Sequence, residues 1–148
     1  MGSSKPNILI LCTGNSCRSQ IAEGFLKAMV GDKATIYSAG IETHGVNPRA
    51  IETMNEIGID LSGHTSNLID EYLEIPMDLV ITVCDHAKER CPVFPGSAKT
   101  VHHNFTDPAK ADGNEEEIAA SFRKVREEIR DYLANLVQEM GLPNHMNR

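Results

Sequence analysis

The stretch NILILCTGNSCRSQIAEGFLKAM, residues 7–29, decides how the rest of the sequence is interpreted. Its first five residues form a mainly apolar run, which is typical of a strand buried on both faces. The next eight residues, 12–19, are mostly small and polar, with two cysteines and one arginine among them. Apolar residues then recur at helical spacing from Ile21 to Met29. The stretch therefore predicts a buried strand, a short loop and a helix, in that order.

Strands and helices also alternate along the rest of the chain. Three further strands are predicted at residues 35–38, 79–83 and 99–103. Two further helices are predicted, one from Asn47-Pro48 to Ile57 before Gly58, and a long amphipathic one that Asn114 and Glu117 cap and Gly141 ends. This alternation predicts an α/β fold with a parallel sheet, in which ligands bind at the carboxyl ends of the strands.

Length, charge and cysteine content limit the function further. The 148 residues are predicted to form a single domain, residues 1–148, with flexible ends at 1–5 and 141–148. The formal net charge of −7 argues against nucleic acid or an anionic membrane as partner, and no apolar run is long enough to span a bilayer. Because no signal-peptide pattern is present, we expect a cytoplasmic protein whose four cysteines are catalytic, redox-active or metal-binding.

The loop at residues 12–19 predicts an anion site built around a reactive cysteine. A short loop that enters a helix points several backbone N–H groups at one place, where a tetrahedral oxyanion can bind. Arg18 can bind two oxygens of that anion, and Gly14 and Asn15 tolerate a left-handed backbone. The same groups stabilise a thiolate, so Cys12 is predicted to be a nucleophile with a lowered pKa and a hydrogen bond from Ser19. The predicted oxyanion-binding residues are Thr13, Gly14, Asn15, Ser16, Cys17, Arg18 and Ser19.

Within this loop, the side chain of Cys17 is expected to be a packing residue rather than a second nucleophile.

Cys84 and Cys91 form a second cysteine feature, which follows the third predicted strand. The residues between them are compatible with a helix that ends at Pro92. In a helix the two sulfurs would share one face, but their Cα atoms would be about 10–11 Å apart. A disulfide needs a separation below about 7 Å, so this segment would have to unwind to form one. The pair is therefore interpreted as a conformational redox switch.

A zinc site is the competing interpretation of this pair. It would combine Cys84, His86 and Cys91 with His102 and His103. The close Cys-x2-Cys spacing of structural zinc sites is missing, and neighbouring histidines on a strand point to opposite faces. The spacing therefore favours the redox switch.

Asp107-Pro108 follows the last predicted strand and has two open interpretations. A carboxylic acid above an anion loop can protonate a leaving oxygen. Asp-Pro is also a common turn or helix start. Taken alone, the residues favour the turn or helix start, but beside the predicted anion loop the two interpretations are about equally favoured.

Taken together, the motifs resemble those of the thioredoxin-coupled arsenate reductases, which share the fold of the low-molecular-weight tyrosine phosphatases. The resemblance covers nearly the whole chain. It rests on residues 12–19 and 38–48, on the Cys84/Cys91 pair followed by Pro92, and on Asp107-Pro108-Ala109. The phosphatase branch typically has tyrosines after the Asp-Pro and lacks the cysteine pair. The resemblance implies a three-layer α/β/α fold with a four-stranded parallel sheet.

The activity that the resemblance implies is the reduction of arsenate to arsenite, for arsenic detoxification, through a relay of three cysteines. Cys12 attacks arsenate held by the loop and Arg18, and Asp107 assists the departure of water. Cys84 then attacks Cys12 and releases arsenite. Cys91 attacks Cys84 in turn, which leaves a disulfide that thioredoxin reduces. Phosphate and sulfate are expected to bind as analogues of arsenate.

The resemblance also points to a potassium ion beside the loop. The positions that match its ligands are Asn15, Glu23, Ser38 and Thr65, all of which offer oxygen atoms suited to a hard cation. The alternative is a cluster of hydrogen bonds that supports the loop. No tightly bound cofactor is expected.

Two other functions remain open. A phosphatase is the second candidate, because arsenate and phosphate have the same shape, and a weak phosphatase activity is expected even of a reductase. A non-catalytic thiol or zinc sensor is the third. The sequence also leaves open whether thioredoxin or a glutaredoxin is the reductant, although two additional cysteines within the chain favour thioredoxin.

Overall fold

The computed structural model describes residues 5–84, 94–96 and 98–146, and its centre is a four-stranded sheet in the order β2-β1-β3-β4. The strands are β1 (Asn7–Leu11), β2 (Thr35–Ala39), β3 (Leu79–Thr82) and β4 (Lys99–His102). Every neighbouring pair is parallel, which confirms the predicted α/β fold. β2 extends one residue beyond its predicted end because Ala39 pairs with Leu11. β3 and β4 end one residue earlier than predicted.

In the described part of the chain, three α-helices pack against one face of this sheet: α1 (Arg18–Val30), α2 (Pro48–Asn55) and α3 (Glu115–Glu139). The Asn47 side chain caps α2, and Asn114 and Glu117 form the predicted capping box of α3. α2 ends two residues before its predicted end, because the chain tightens there and Gly58 leaves the helix with φ +82°. Among the described residues, no helix combines the length and the apolar character that crossing a membrane requires.

The two faces of the sheet are covered by different elements. Ile8 and Ile10 of β1 are fully buried in the core that the three helices share. Leu9 and Leu11 point to the opposite face, where the described residues include a 3₁₀ turn at Ile69–Tyr72. The apolar run that opens the sequence is therefore buried on both sides, as predicted, and the sheet is the middle of three layers.

The C-terminal segment differs from the flexible tail that was expected after Gly141. Leu142 and Met146 pack against the helix-covered core, and the His145 N–H donates a hydrogen bond to the Met29 carbonyl at 2.8 Å. Residues 141–146 thus cover the end of α1. The predictions for residues 1–4 and 147–148 lie outside the described residues.

The strand order places two cysteines at one edge of the sheet. β1 and β3 are neighbours, and their register pairs Leu11 with Thr82. Cys12 directly follows β1, and Cys84 follows β3 by two residues. Both cysteines therefore lie at the carboxyl ends of the strands, where this class of fold binds its ligands.

Candidate active site

The loop between β1 and α1 is held from outside through its carbonyl groups. The Thr13 carbonyl accepts hydrogen bonds from the N–H groups of Ile41 and Glu42, at 3.0 and 3.1 Å. The Gly14 carbonyl accepts one from His44 at 3.2 Å, and the Ser16 carbonyl accepts one from Asn47 at 3.1 Å. Because the C=O and N–H of a trans peptide point in opposite directions, the N–H groups that follow these carbonyls point into the loop. This is the predicted cradle for an oxyanion.

Asn15 gives the loop its curvature. It has φ +46° and is the one non-glycine residue with positive φ in the described part of the chain. Its Oδ1 accepts hydrogen bonds from Ser19 Oγ at 2.7 Å and Gln20 Nε2 at 3.1 Å, and its Nδ2 donates to the Ser38 carbonyl at 3.2 Å. The predicted left-handed conformation of Asn15 is confirmed, and its side chain is fixed below the loop.

Ser19 differs from its predicted role. Its hydroxyl was expected to donate to the Cys12 thiolate, but it donates to Asn15 Oδ1 instead. A hydroxyl has one proton to donate, so in this structure Ser19 supports the loop from below. Ser19 and Asn15 are both fully buried, while the other five predicted oxyanion-binding residues line the pocket above.

Two glycines are required by close approach rather than by a left-handed backbone. A Cβ on Gly14 would lie 2.7 Å from Nδ1 of His44. A Cβ on Gly40 would lie 2.5 Å from the Thr13 carbonyl oxygen and 2.9 Å from that of Cys12. Of the two residues predicted to tolerate a left-handed backbone, Asn15 adopts it and Gly14 does not. Its missing side chain makes room for an imidazole ring.

Arg18 and Asp107 meet at the mouth of the loop. Arg18 is 3% exposed, its Nη1 donates to the Phe105 carbonyl at 3.1 Å, and its Nη2 lies 3.6 Å from Asp107 Oδ2. The other oxygen of Asp107 accepts a hydrogen bond from the Ala109 N–H at 3.0 Å. Both residues line a cavity of about 480 Å³ above the loop. The structure therefore brings together the two groups proposed to bind arsenate and to protonate its leaving oxygen.

Cys12 and Cys17 are both free thiols that line the same pocket, but they occupy different positions in the loop. Cys12 is 3% exposed and begins the loop. Burial, followed by the negative charges of Asp107 and Cys12, raises the pKa of Cys17 far above its usual range. Cys17 therefore stays protonated at neutral pH, which agrees with the packing role predicted for it.

Cys84 is fully buried at the end of β3 and is disulfide-bonded. Cys91, the segment between the two cysteines and His86 lie outside the described residues, so the helical geometry predicted there stays a prediction.

In the described part of the chain, no group of three or more His, Cys, Asp or Glu side chains could hold a metal ion. His102 has both ring nitrogens in hydrogen bonds, to Thr82 and to Asn104.

The proposed potassium ligands form one hydrogen-bonded cluster under the loop. Ser38 Oγ donates to Glu23 Oε1, and Gln20 Nε2 connects Asn15 to the Thr65 carbonyl at 2.9 Å. The oxygen atoms are of the type that a hard cation prefers. The Lys27 ammonium already lies 2.6 Å from Glu23 Oε2, so one positive charge is present. The donor set fits potassium, although the Glu23 carboxylate already has partners on both of its oxygens.

Sequence reasoning missed two pairs of residues at this site, Gln20 with His64 and His44 with Glu42. Gln20 is fully buried, and its Oε1 lies 3.0 Å from His64 Nδ1, across 44 residues of sequence. His44 lines the pocket, and its Nε2 lies 2.7 Å from Glu42 Oε1. His44 belongs to the segment that carried the resemblance, but its role could only be seen once that segment was folded onto the loop.

Comparisons with known proteins agree on the family. A family model described as low molecular weight phosphotyrosine protein phosphatase matches residues 7–144. An arsenate reductase of Halalkalibacterium halodurans is 56% identical over 126 residues, which cover 85% of this chain and 91% of that protein. An arsenate reductase of Bacillus subtilis is 50% identical over 131 residues, covering 88% and 94%. A solved arsenate reductase in its phosphate-binding state has a TM-score of 0.77 and 32% identity, over 90% of this chain and 98% of that one.

Proposed function

The chain belongs to the low molecular weight phosphotyrosine protein phosphatase family, and we propose that, like its arsenate reductase relatives, it reduces arsenate to arsenite. The observation that carries the proposal is the edge of the sheet, where an oxyanion loop begins with Cys12 and a second buried cysteine, Cys84, follows the neighbouring strand. The loop can hold a tetrahedral anion, and the two sulfurs can supply the two electrons that reduce As(V) to As(III) by forming a disulfide.

In the first step the Cys12 thiolate forms a bond to arsenic. The inward N–H groups of the loop and the Arg18 guanidinium bind the other oxygens of the anion. One As–O bond breaks, and Asp107 supplies the proton with which this oxygen leaves as water. Arsenic stays in the +5 state, bound to Cys12.

In the second step Cys84 reduces the arsenic. Its sulfur attacks Cys12 Sγ, the S–As bond breaks, and the electron pair of that bond stays on arsenic, which becomes As(III). The products are arsenite and a Cys12–Cys84 disulfide. The thiols lose the two electrons that arsenic gains, so the step needs no other reductant.

In the third step Cys91 attacks Cys84 and releases Cys12 as a thiolate. The Cys84–Cys91 disulfide is then reduced by the dithiol of thioredoxin, which becomes oxidised. In the chain-entropy model, closing the short loop between Cys84 and Cys91 contributes only about 2.5 kcal/mol to the unfolding free energy. This disulfide is therefore a redox device more than a stabilising one.

A weak phosphatase activity is the second part of the proposal. Phosphate monoesters present the same tetrahedral anion to the loop, and the cysteine and the acid are in place to transfer the phosphoryl group. As a main function it is less favoured, because the two relatives compared above, which are 50% and 56% identical to this chain, are arsenate reductases. The activity should need Cys12 but neither Cys84 nor Cys91.

Potassium is a further part of the proposal. A cation held by Asn15, Glu23, Ser38 and Thr65 would add positive charge beneath the loop. The Lys27 ammonium on Glu23 supplies such a charge already. We expect potassium, in place of sodium, to raise turnover and melting temperature, and to do so more strongly in Lys27→Met. Equal values in both salts for both proteins would contradict a potassium site.

The experiment that tests the function is arsenate-dependent NADPH oxidation with thioredoxin and thioredoxin reductase. We expect turnover in the wild type and its loss in Cys12→Ser, Cys84→Ser and Cys91→Ser. Cys17→Ser is the matched control, because its buried thiol has a raised pKa and no place in the relay. Hydrolysis of p-nitrophenyl phosphate without any arsenate turnover would instead identify a phosphatase.

A further inference from the structure

We propose that His44, held by Glu42, donates a proton to the arsenic oxygens when arsenite is released. The inference rests on the proposed arsenate reduction and adds to it a proton donor for the second step, where the first step already has Asp107. It is carried by the position of the His44 ring on the oxyanion loop and by the proton balance of the reaction.

The His44 ring lies directly on the oxyanion loop. Its own backbone N–H donates to the Gly14 carbonyl at 3.2 Å, which fixes the residue beside the loop. Nδ1 lies 2.7 Å from the place where a Cβ on Gly14 would be. The ring also lines the cavity that contains Cys12 and Arg18. The His44 ring therefore contacts the loop at Gly14 and borders the same cavity as Cys12 and Arg18.

Glu42 determines how this ring carries its protons. Its Oε1 lies 2.7 Å from His44 Nε2, and a carboxylate can only accept a hydrogen bond, so Nε2 holds a proton. In the imidazolium form the second proton is on Nδ1, which is the nitrogen beside Gly14. Both side chains are 57% exposed, so His44 can take up a new proton from water after each turnover.

The release of arsenite requires more protons than the Cys84 thiol can supply, so the step needs a further proton donor. After water has left, the arsenic on Cys12 carries three oxygens and no hydrogen, with two negative charges. Arsenite leaves as the neutral acid As(OH)₃, which holds three protons. The Cys84 thiol supplies one of them, so two more must reach the arsenic oxygens: the His44 imidazolium donates one and solvent water supplies the other. Protonating these oxygens also makes arsenic a better acceptor for the electron pair of the breaking S–As bond.

The other charged groups at the pocket are less suited to this step. Asp107 gives its proton in the first step, and its two oxygens then face Arg18 and the Ala109 N–H, which stabilise the carboxylate. Arg18 does not release a proton in proteins. Lys110, Cys12 and Cys17 are the other titratable groups that line this cavity in the described part of the chain. Histidine is the side chain that ordinarily exchanges protons near neutral pH.

The test is single-turnover arsenite release, measured by rapid quench from pH 6 to pH 9, for the reduced wild type and His44→Gln. We expect release to be slower by about a hundredfold in His44→Gln, and the alkaline decline of the wild-type rate to disappear. Free imidazole should restore part of the rate, because the position is open to water. Glu42→Gln should lose less, since it keeps the imidazole but not its charged partner.

Two controls separate a proton donor from a structural or binding role. The dissociation constant for inorganic phosphate should stay within about threefold of the wild type in His44→Gln, because the loop N–H groups hold the anion. His145→Gln, at an exposed histidine beside α1, should leave every value unchanged. An unaltered rate and pH profile in His44→Gln would overturn the inference, and so would a loss explained wholly by weaker phosphate binding. No arsenite from the wild type would overturn the proposed function itself.

Discussion

The oxyanion loop has two surroundings that differ in almost every physical property. We call the buried polar cluster beneath it the floor, which comprises Asn15, Ser19, Gln20, Ser38 and the Thr65 carbonyl. We call the acid-bearing groups at its mouth the rim, which comprises Glu42, His44 and Asp107. Asn15, Ser19 and Gln20 are 0% exposed, whereas the rim side chains are 57%, 57% and 20% exposed. The side chains of the floor are buried and hydrogen-bonded, apart from the exposed residue Thr65, whereas those of the rim are open to solvent.

This difference separates two tasks of the site. When a buried polar network loses one partner, each group left without a hydrogen bond costs about 1–3 kcal/mol of stability. Because any other arrangement of the floor would leave such groups, the floor holds the loop in one conformation. Groups at the rim can exchange protons with water between turnovers. We therefore expect changes in the floor to alter stability and oxyanion affinity together. Changes in the rim should alter rates and leave stability intact.

The largest effect is expected from Gly40→Ala, because the added methyl group would clash with the backbone of the oxyanion loop. The new Cβ would lie 2.5 Å from the Thr13 carbonyl oxygen, so backbone must move. We expect phosphate binding and arsenate turnover to fall at least a hundredfold, with a loss of about 3 kcal/mol in unfolding free energy. Gly63→Ala is the matched control, because no described atom lies within 4 Å of its added Cβ. Equal behaviour of the two variants in urea unfolding and calorimetry would contradict the account.

Asp107→Asn should give the next largest effect, confined to the rate. The amide keeps the size of the side chain but cannot transfer a proton as a carboxylic acid does, so kcat/KM for arsenate should fall about a hundredfold. The melting temperature should stay within about 1 °C of the wild type. A variant that unfolds earlier but turns over normally would reverse the assignment of Asp107 to the rim.

A pair of substitutions at Asn15 divides the floor into backbone and side-chain contributions. Asn15→Ala and Asn15→Gly both lose the hydrogen bonds of the amide, but only glycine accepts φ +46° without strain. We expect the alanine variant to be less stable than the glycine variant by about 1–2 kcal/mol. Phosphate affinity should fall in both. Urea unfolding with equal midpoints for the two variants would show that the left-handed turn carries no strain.

The smallest effect concerns the pH dependence of stability at His64. Burial lowers the pKa of His64 from its usual 6.5, and Glu23 offsets this only in part. A base whose pKa is lowered on folding binds its proton first in the unfolded chain. The contribution of His64 to the unfolding free energy is therefore fully present above pH 6.5, and it is lost as the pH falls below that value. In His64→Gln the unfolding free energy should decline less between pH 6.5 and pH 5, and an equal decline would contradict this.

The sequence predicted the parts of the site that are continuous in the chain. β1, the loop and α1 are adjacent, so Cys12, Arg18 and the left-handed Asn15 could be identified from residue type and spacing alone. The residues left two interpretations of Asp107 open, and only the fold shows that it lies 3.6 Å from Arg18, while its role as an acid stays a prediction.

The contacts that the sequence could not predict join distant segments. Gln20 and His64 are 44 residues apart, and each looks like an ordinary polar residue in the sequence. The hydrogen-bond partner of Ser19 was misassigned, and the contact that keeps Gly14 small was missed, for a related reason. Ser19 has one hydroxyl proton and two acceptors to choose from, and Gly14 is small because His44 folds onto it. Neither the acceptor of the Ser19 hydroxyl nor the contact between Gly14 and His44 can be identified before the tertiary structure is known.

The central claim is that Cys12, Cys84 and Cys91 act in sequence on one bound arsenate, and one single-turnover measurement tests it most directly. Fully reduced protein is mixed with arsenate in the absence of thioredoxin, and arsenite and disulfides are quantified after acid quench and digestion. We predict one arsenite for each chain, a Cys84–Cys91 disulfide in the wild type, and a stalled Cys12–Cys84 disulfide in Cys91→Ser. Undiminished release of arsenite by Cys84→Ser would contradict the relay.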